Sequence, residues 1–310
     1  MENYPETILQ FEERFATESA CRQYLAEIRW PEGFRCPKCQ HDAAWITQRG
    51  LWHCKVCGHE TSVTAGTLFQ DTRKPLRLWF RAMWYVVNQK QGVSALGLQR
   101  VLGLSRYETT WIWLHKLRTA MVRPGRDRLS GTVQVDETYI GGEQPGKRGR
   151  GAAGKTLVVI AVEDKERKMG RIRLLRVSDA SSTSLSFAVQ EMIDPGSFVN
   201  TDGWKGYGNL KDEGYVHEAV RQSAEIGDNL LPLAHRVASL LKRWLGSTHQ
   251  GAIRQSHLDY YLDEFTFRFN RRTSRSRGKL FYRLMQQAVQ VGPVTGDSVR
   301  GGKIETNNNI

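Results

Sequence analysis

Two aspartates, a histidine and a lysine stand at positions from which they could act together on a phosphodiester. Asp136 lies in the run Val-Gln-Val-Asp-Glu-Thr-Tyr and Asp202 in the run Phe-Val-Asn-Thr-Asp-Gly-Trp, and both runs are typical of β-strands. His235 and Lys242 follow on an amphipathic segment, seven residues apart, which is two turns along one face of a helix. Carboxylates on strands and a ligand on a later helix can converge on a pair of divalent ions. This order predicts a two-metal enzyme that acts on nucleic acid.

Four of the five cysteines form a second candidate site. They are Cys36, Cys39, Cys54 and Cys57. Two Cys-x-x-Cys pairs separated by 14 residues can place four thiolates around a tetrahedral Zn²⁺. Gly58 fits the sharp turn after the second pair. The alternative is a pair of disulfides, which a reducing compartment disfavours. We predict a structural zinc ribbon, with Cys21 outside it as a small buried apolar side chain.

Composition and charge indicate the class of partner. The chain has 310 residues, of which 40% are apolar, and its formal net charge is +13 with a pI near 9.7. An excess of positive charge favours a polyanionic partner, so double-stranded DNA is the leading candidate and a membrane surface the weaker one. The sequence has no apolar run of membrane-spanning length and no secretion signal, which predicts a cytoplasmic protein.

The first 125 residues are predicted to be mainly helical around the ribbon. Apolar residues at helical spacing predict helices over 7–28 (one helix or a pair), 76–89, 94–102 and 107–121. The last two are joined by Gly103-Leu104-Ser105 and match a helix-turn-helix, with Lys116 and Arg118 as DNA contacts. The alternative for this pair is a helical hairpin that serves only core packing.

From residue 131 the apolar period changes from helices to strands. The predicted strands cover 132–140, 156–163, 170–177, 197–201 and 216–220, with helices over 184–193 and 233–245 and a helical turn near Tyr207. Three strands, helix, strand, helix, strand, helix is the order of the ribonuclease-H-like fold. In that fold the first and fourth strands are neighbours, so Asp136 and Asp202 would meet.

The predicted fold is therefore α+β and multidomain. It has an N-terminal helix and zinc ribbon, a helix-turn-helix, and a ribonuclease-H-like catalytic domain with a mixed sheet and helices. The predicted boundaries are 1–70, 71–125, 126–290 and a disordered tail over 291–310.

Two further basic segments are candidates for contact with a DNA backbone. Residues 149–156 match a phosphate-binding loop by letter, but a β-branched run follows where a helix is required. We interpret this segment, together with Lys147 and Arg148 just before it, as the basic tip of a hairpin. The stretch from Arg268 to Arg283 is expected to be a helix that packs on the catalytic domain and presents Arg271 and Arg272 to DNA.

Several motifs in one order resemble a known family. They are Arg29-Trp-Pro-Glu-Gly-Phe-Arg-Cys-Pro-Lys-Cys, Thr61-Ser-Val-Thr-Ala-Gly-Thr-Leu-Phe, Pro75-Leu-Arg-Leu-Trp-Phe-Arg-Ala-Met, Val135-Asp-Glu-Thr-Tyr-Ile-Gly-Gly, Leu241-Lys-Arg-Trp-Leu-Gly-Ser-Thr-His and Tyr261-Leu-Asp-Glu-Phe-Thr-Phe-Arg-Phe-Asn-Arg-Arg. Over residues 7–290 the chain resembles bacterial insertion-sequence transposases of the ISXO-type DDE group, which carry an N-terminal zinc ribbon. The resemblance implies that the ribbon and helix-turn-helix recognise terminal inverted repeats, and that the catalytic domain cuts and joins DNA.

The resemblance also assigns roles to the candidate residues. Asp136 and Asp202 would be the first two catalytic acids, and Lys242 the basic residue after the third, with Arg243 beside it holding phosphate. Two divalent ions would support in-line displacement at phosphorus. The implied partners are inverted-repeat ends and target DNA, bound by a homo-oligomer in the bacterial nucleoid.

The chain departs from the wider DDE class at the third acid, where it has His235. An imidazole is a neutral, softer ligand that suits Mn²⁺ better than Mg²⁺. The alternative is that His235 packs or caps its helix in an inactive copy. Glu137, Asp263 and Glu264 are candidate substitutes, although Glu137 points to the opposite face of its strand from Asp136. A nuclease or resolvase without strand transfer, or a non-catalytic DNA-binding protein, also stays open.

Overall fold

The described residues form two compact units. In this computed structural model they are residues 2–123, 125–141, 155–166, 168–220, 230–251 and 253–302. The first unit contains the described residues up to Arg123 together with Ser274–Gly302, and the second unit runs from Gly125 to Thr273.

The secondary structure follows the predicted order closely. The helices are α1 (Ile8–Arg14), α2 (Glu18–Arg29), α3 (Leu76–Asn88), α4 (Ala95–Leu102), α5 (Tyr107–Thr119), α6 (Ser182–Met192), α7 (Pro232–Thr248), α8 (Leu258–Asn270), α9 (Arg277–Gln290) and α10 (Gly296–Gly301). The strands are β1 (Ala44–Ile46), β2 (Trp52–Cys54), β3 (Glu60–Thr61), β4 (Thr132–Ile140), β5 (Thr156–Lys165), β6 (Lys168–Val177), β7 (Phe198–Thr201) and β8 (Val216–Ala219). Short 3-10 helices cover Lys205–Lys211 and Gln255–His257.

The first unit is organised around an aromatic residue of its last long helix. Phe281 of α9 is fully buried. Its ring centroid lies 5.5–6.3 Å from those of Phe11, Phe15, Tyr24, Phe80 and Trp84. Aromatic pairs at this separation add attraction to a large burial of apolar area. Helix α9 therefore completes a core whose other members come from α1, α2 and α3.

This packing corrects the prediction for the basic stretch from Arg268 to Arg283. The stretch is not one helix, because α8 ends at Asn270 and α9 begins at Arg277. Helix α9 belongs to the first unit, and the second unit ends at Thr273 rather than near residue 290. The predicted division at residues 70 and 71 also falls inside the first unit.

The predicted disordered tail is partly ordered. Helix α10 begins with a Thr295 side-chain cap, buries Val299 and places the Arg300 guanidinium 2.8 Å from a Glu108 carboxylate oxygen. The prediction of disorder is therefore wrong for residues 291–302, and residues 303–310 lie outside the described part of the chain.

The second unit contains a five-stranded mixed sheet. Its order is β6-β5-β4-β7-β8, in which β6, β5 and β4 pair antiparallel while β4, β7 and β8 pair parallel. Alternate residues of β5 enter two cores. Val158, Ile160 and Val162 pack with α7 and α8, whereas Leu157 and Val159 pack with α6 and Tyr207. Because both faces of β5 are covered by helices, its continuous apolar run is explained.

Helix α9 approaches the N-terminal segment so closely that one position must be glycine. A Cβ on Gly278 would overlap the carbonyl oxygen of Pro5, which is backbone and cannot rotate away. We expect Gly278→Ala to lower the free energy of unfolding of the first unit by about 1–3 kcal/mol through overpacking. Denaturant unfolding of the full chain measures this change.

The matched control is the same substitution at a glycine with open space. A Cβ on Gly246 of α7 meets no atom within 4 Å. Gly246→Ala should raise stability by about 0.5–1 kcal/mol because alanine has less backbone entropy to lose. A Gly278→Ala protein as stable as the wild type would contradict the close approach.

Candidate functional site

The pairing of β4 with β7 brings the two predicted aspartates to neighbouring positions. The parallel ladder joins Val133 to Val199 and Gln134 to Asn200. Two residues further along each strand direction come Asp136 and Asp202, the latter directly after the end of β7. Asp202 lies beyond the last paired residue of β7, and its charge contributes to the raised pKa of Asp136, so the two carboxylates are near each other.

The turn after β7 is fixed by its own hydrogen bonds. The Asp202 carboxylate accepts a hydrogen bond from the backbone N–H of Trp204 at 3.0 Å. The Thr201 hydroxyl is 2.9 Å from Nε2 of His217 and accepts from the N–H of Gly203. Burial lowers the pKa of His217, with Lys211 adding to the effect, so the ring favours its neutral form. These contacts limit the motion of the backbone that carries Asp202.

Helix α7 supplies the histidine. His235 lies in its first turn, and Nε2 of the ring is 3.3 Å from a carboxylate oxygen of Asp136. The imidazole is 45% exposed, whereas the Asp136 side chain is only 14% exposed. The structure thus brings His235 to the first aspartate and leaves one side of the imidazole open to solvent.

The environment of Asp136 disfavours its charge. Burial, together with the Glu137 and Asp202 carboxylates, raises the pKa of Asp136 to about 6, although His235 acts in the opposite direction. A nearby cation stabilises the ionised form of a carboxyl group that burial and neighbouring negative charges destabilise. Carboxylates and an imidazole are donors of the kind that Mg²⁺ and Mn²⁺ accept, but among the described residues Asp136, Asp202 and His235 do not lie close enough together to hold an ion as they stand.

The substitute ligands considered from the sequence are placed elsewhere. Glu137 points to the opposite face of β4, as predicted, and accepts a hydrogen bond from the Tyr207 hydroxyl at 2.9 Å. Glu264 is buried and paired with Arg268 at 2.6 Å. Asp263 lies on α8, which packs on β6, and β5 separates β6 from β4. His235 is therefore the third ligand candidate that the structure brings to Asp136.

The four cysteines form a closed cluster. Their sulfurs lie within 4.8 Å of one another, with Cys36 to Cys57 and Cys39 to Cys54 both at 3.6 Å. Tetrahedral Zn²⁺ with Zn–S bonds of about 2.3 Å requires sulfurs about 3.8 Å apart. Disulfide sulfurs would be bonded at about 2 Å, so the disulfide alternative is wrong. Among the described residues, this is the one set of three or more Cys, His, Asp and Glu side chains close enough to hold a metal ion as it stands.

Backbone groups prepare the cysteines for a cation. N–H groups, first that of Cys57, lower the pKa of Cys54. Burial by itself would raise the pKa of Cys36, but hydrogen bonds from the N–H groups of Cys39 and Lys38 lower this pKa to about 7. Thiolates that accept N–H bonds are suited to a metal, and a divalent ion replaces the protons that the sulfurs would otherwise share. The donor set fits structural zinc.

The turns of the two cysteine pairs repeat the same geometry. The N–H of Gln40 donates to the Cys36 carbonyl at 2.9 Å, and that of Gly58 donates to the Cys54 carbonyl at 3.1 Å. Gly58 has φ +67°, which confirms the predicted sharp turn, and Gln40 adopts φ +62° at the equivalent position. Cys21 lies outside the cluster and is buried, as predicted.

The predicted DNA contacts differ in their exposure. Lys242 and Arg243 are exposed on α7. Arg271 stacks on Phe267 at 4.2 Å, and Arg272 donates to the carbonyl of Gly170 while it stacks on Phe269. Lys147 and Arg148 lie outside the described residues.

The helix-turn-helix candidates require a correction. Arg118 is 2% exposed, and its guanidinium lies 3.3 Å from the His115 ring, so it is not placed to contact DNA. Lys116 is half-buried, and burial lowers its pKa. Both residues lie in the last turns of α5, where the helix enters the core of the first unit. The exposed part of α5 is its beginning, at Tyr107 and Glu108.

The sequence analysis did not identify two features near the candidate site, a basic residue on α7 and the hydrogen bonds that support the turn after β7. Arg236 is exposed on α7. It lies seven residues before Arg243, and this spacing could have revealed it as part of a second basic row. The support of Asp202 by Thr201 and His217 had no sequence signal, because it depends on the pairing of β7 with β8.

Two family models match parts of the chain. Residues 128–270 match the ISXO2-like transposase domain, and residues 16–60 match the transposase zinc-ribbon domain. The second unit carries an ISXO2-like transposase domain.

One relative aligns with most of the chain. It is an uncharacterized protein in transposable element ISH50 of Halobacterium salinarum, 28% identical in an alignment of 289 positions that covers 86% of this chain and 94% of the relative. No helix in the described parts of the chain combines the length and hydropathy needed to span a bilayer.

Loss of one cysteine should remove the metal from the ribbon. We expect Cys54→Ala to reduce bound zinc from about one per chain to none, because three thiolates hold the ion much more weakly than four. Metal analysis of the purified protein and proteolysis of the segment 30–61 measure the result. Cys21→Ala, the control, should keep its zinc. A wild-type protein that folds with no zinc would contradict the assignment.

Because the pKa of Asp136 is raised, we expect the substitution Asp136→Asn to increase the free energy of unfolding by an amount that depends on pH. Between about pH 4 and pH 6 the metal-free folded state keeps a proton that the unfolded chain releases, so stability falls as pH rises. Asp136→Asn should therefore stabilise the metal-free protein by about 1–3 kcal/mol at pH 7 and have little effect below pH 4. Unfolding at a series of pH values measures this difference. An Asp136→Asn protein that is less stable at pH 7 would contradict the raised pKa.

Proposed function

We propose that this chain is a DDE-type DNA transposase that binds the terminal inverted repeats of an insertion sequence and performs two-metal cleavage and strand transfer. The observation that carries the proposal is that β4 and β7 are parallel neighbours, with Asp136 in β4 and Asp202 directly after β7, and that His235 lies 3.3 Å from Asp136. The match to the ISXO2-like transposase domain supports the same function.

The sheet supports a ribonuclease-H-like assignment. Numbered within the second unit, its strands have the order 3-2-1-4-5, with the second antiparallel to the first and the fourth and fifth parallel to it. This arrangement places the first and fourth strands side by side, which is what the proposed site requires. The helices cover both faces of the sheet, Asp136 lies in the middle of β4, and Asp202 directly follows the end of β7.

The proposed chemistry is displacement at phosphorus. In cleavage, a water oxygen forms a bond to phosphorus, the bond to the 3′ oxygen breaks, and the element end is left with a 3′-hydroxyl. In strand transfer, that hydroxyl forms a bond to a target phosphorus, and a target 3′ oxygen leaves. Divalent ions, Mg²⁺ or Mn²⁺, would lower the pKa of the attacking group and stabilise the leaving oxygen.

The side chains of the transposase have separate tasks in this scheme. Asp136 and Asp202 hold the ions, and His235 completes the ligand set as the third donor. Lys242 and Arg243 lie on the exposed side of α7, where they bind phosphates as a point charge and a fork. Arg236 lies two helical turns before Arg243, next to His235, and extends this basic surface toward the carboxylates.

DNA recognition is assigned to the first unit. Helices α4 and α5, joined around Gly103, form the proposed helix-turn-helix, and the zinc ribbon is the second recognition module. The start of a recognition helix reaches base edges in such motifs. Arg106 and Tyr107, both exposed, therefore replace the buried Arg118 as the proposed contacts. Cleavage at two element ends in one reaction would require a homo-oligomer on DNA.

Substitution of the second aspartate tests the catalytic assignment. We expect Asp202→Asn to lower the rate of element-end cleavage by at least about 10³-fold and to leave inverted-repeat binding unchanged. Gel assays with end fragments in Mg²⁺ or Mn²⁺ measure both. Asp212→Asn, at an exposed aspartate after the 3-10 helix, is the control and should cleave normally.

The outcomes separate the competing functions. Cleavage without joining would indicate a nuclease or resolvase, and DNA binding without cleavage in either metal would indicate a non-catalytic protein. Cleavage retained in Asp202→Asn would remove this residue from the site. His235→Glu should preserve or raise activity in Mg²⁺, because a carboxylate is the harder ligand, whereas His235→Ala should lose activity in both metals.

A further inference from the structure

Helix α7 begins without a capping side chain of its own. Its N-cap residue is Leu231, and Pro232 occupies the first helical position. The first turn of an α-helix leaves N–H groups without partners within the helix. Pro232 has no N–H, and the N–H of His235 donates to the Leu231 carbonyl at 2.9 Å. Two N–H groups, those of Leu233 and Ala234, therefore need an acceptor from outside.

Gln134 of β4 provides that acceptor. Its side-chain oxygen accepts hydrogen bonds from the N–H of Leu233 at 3.0 Å and of Ala234 at 3.4 Å. The residue is buried, as are Leu233 and Ala234, so a lost bond would leave a desolvated N–H group. The glutamine amide also donates to Asp164 of β5 at 3.5 Å, which helps to keep its oxygen turned toward α7.

This cap connects two of the proposed metal ligands. Gln134 and Asp136 are two residues apart on β4, so their side chains share one face. Ala234 immediately precedes His235 in the first turn of α7. The helix turn that carries His235 is thus fastened to the same stretch of strand that carries Asp136. His235 and Asp136 lie 3.3 Å apart beside this cap.

We propose that Gln134 is a positioning residue, which caps α7 from β4 and thereby holds His235 over Asp136 for metal binding. The metal role rests on the proposed function. Groups that orient metal ligands commonly change metal affinity by about 10–100-fold when they are removed. The cap itself is independent of any metal.

The test compares two substitutions at this position in the full-length, zinc-containing chain. Gln134→Met keeps the length of the side chain and removes the acceptor oxygen, whereas Gln134→Glu keeps an acceptor. Gln287→Met is the matched control, because Gln287 is a buried glutamine of the first unit. Two quantities are measured, namely the exchange rates of the Leu233 and Ala234 amides without added metal, and the Kd for Mn²⁺ by electron paramagnetic resonance. Only the bound-Mn²⁺ signal that is present in the wild type and absent in Asp136→Asn is assigned to the proposed site.

The expected result is specific to the acceptor. Gln134→Met should speed exchange of both amides at least tenfold and weaken Mn²⁺ binding by about tenfold. Gln134→Glu and Gln287→Met should keep slow exchange and stay within threefold of the wild-type Kd. Restored cleavage of Gln134→Met at saturating Mn²⁺ would agree with a positioning role.

Three results would overturn the proposal in distinguishable ways. Unchanged exchange in Gln134→Met would show that Gln134 is not the cap. Faster exchange with unchanged Mn²⁺ affinity would show a cap that does not position His235. A wild type with no Mn²⁺ signal sensitive to Asp136→Asn would contradict the proposed function and the metal role together, while the exchange rates would still decide whether Gln134 caps α7.

Discussion

The parallel pairing of β4 with β7 is the constraint on which the candidate site depends. Parallel neighbours cannot be joined by a tight turn, so the chain between them forms β5, β6 and α6 before it returns. The return in register sets Asp202 next to Asp136, although 65 residues separate them in the sequence. A shift of one residue would turn a whole strand to the other face. The apolar alternation that fills the two cores thus also fixes the face of each carboxylate.

The same packing raises the free-energy cost of ionising Asp136 when no cation is bound. Helix α7 covers one face of the sheet and buries Asp136 beside two other carboxylates, which is why its pKa is raised. The zinc ribbon shows the corresponding principle in a smaller segment. Three short strands have little apolar area to bury, and four sulfurs 3.6–4.8 Å apart provide a centre that a metal can stabilise. Both places bring ionisable side chains together, four sulfurs in the ribbon and the Asp136 carboxyl near those of Glu137 and Asp202 in the second unit.

Local pattern was enough to predict most elements of the fold. Strand β4 has the bounds that its alternation predicted, and the cysteine spacing predicted the cluster, because both signals are contained in a few adjacent residues. The errors concern which core a segment joins. The basic stretch ending at Arg283 gave no indication that Phe281 would pack among residues of α1, α2 and α3. Arg118 suited DNA contact by residue type, but tertiary packing buries it. Gln134 had no signal, because its partners lie about 100 residues away.

Anomalous X-ray scattering from crystals of the protein soaked in Mn²⁺ tests directly whether Asp136, Asp202 and His235 hold a metal ion. The account predicts a manganese peak with carboxylate oxygens of Asp136 and Asp202 and Nε2 of His235 as ligands, at about 2.0–2.3 Å. A peak that binds only one of the aspartates, or one that leaves His235 uncoordinated while another side chain takes the third position, would contradict it.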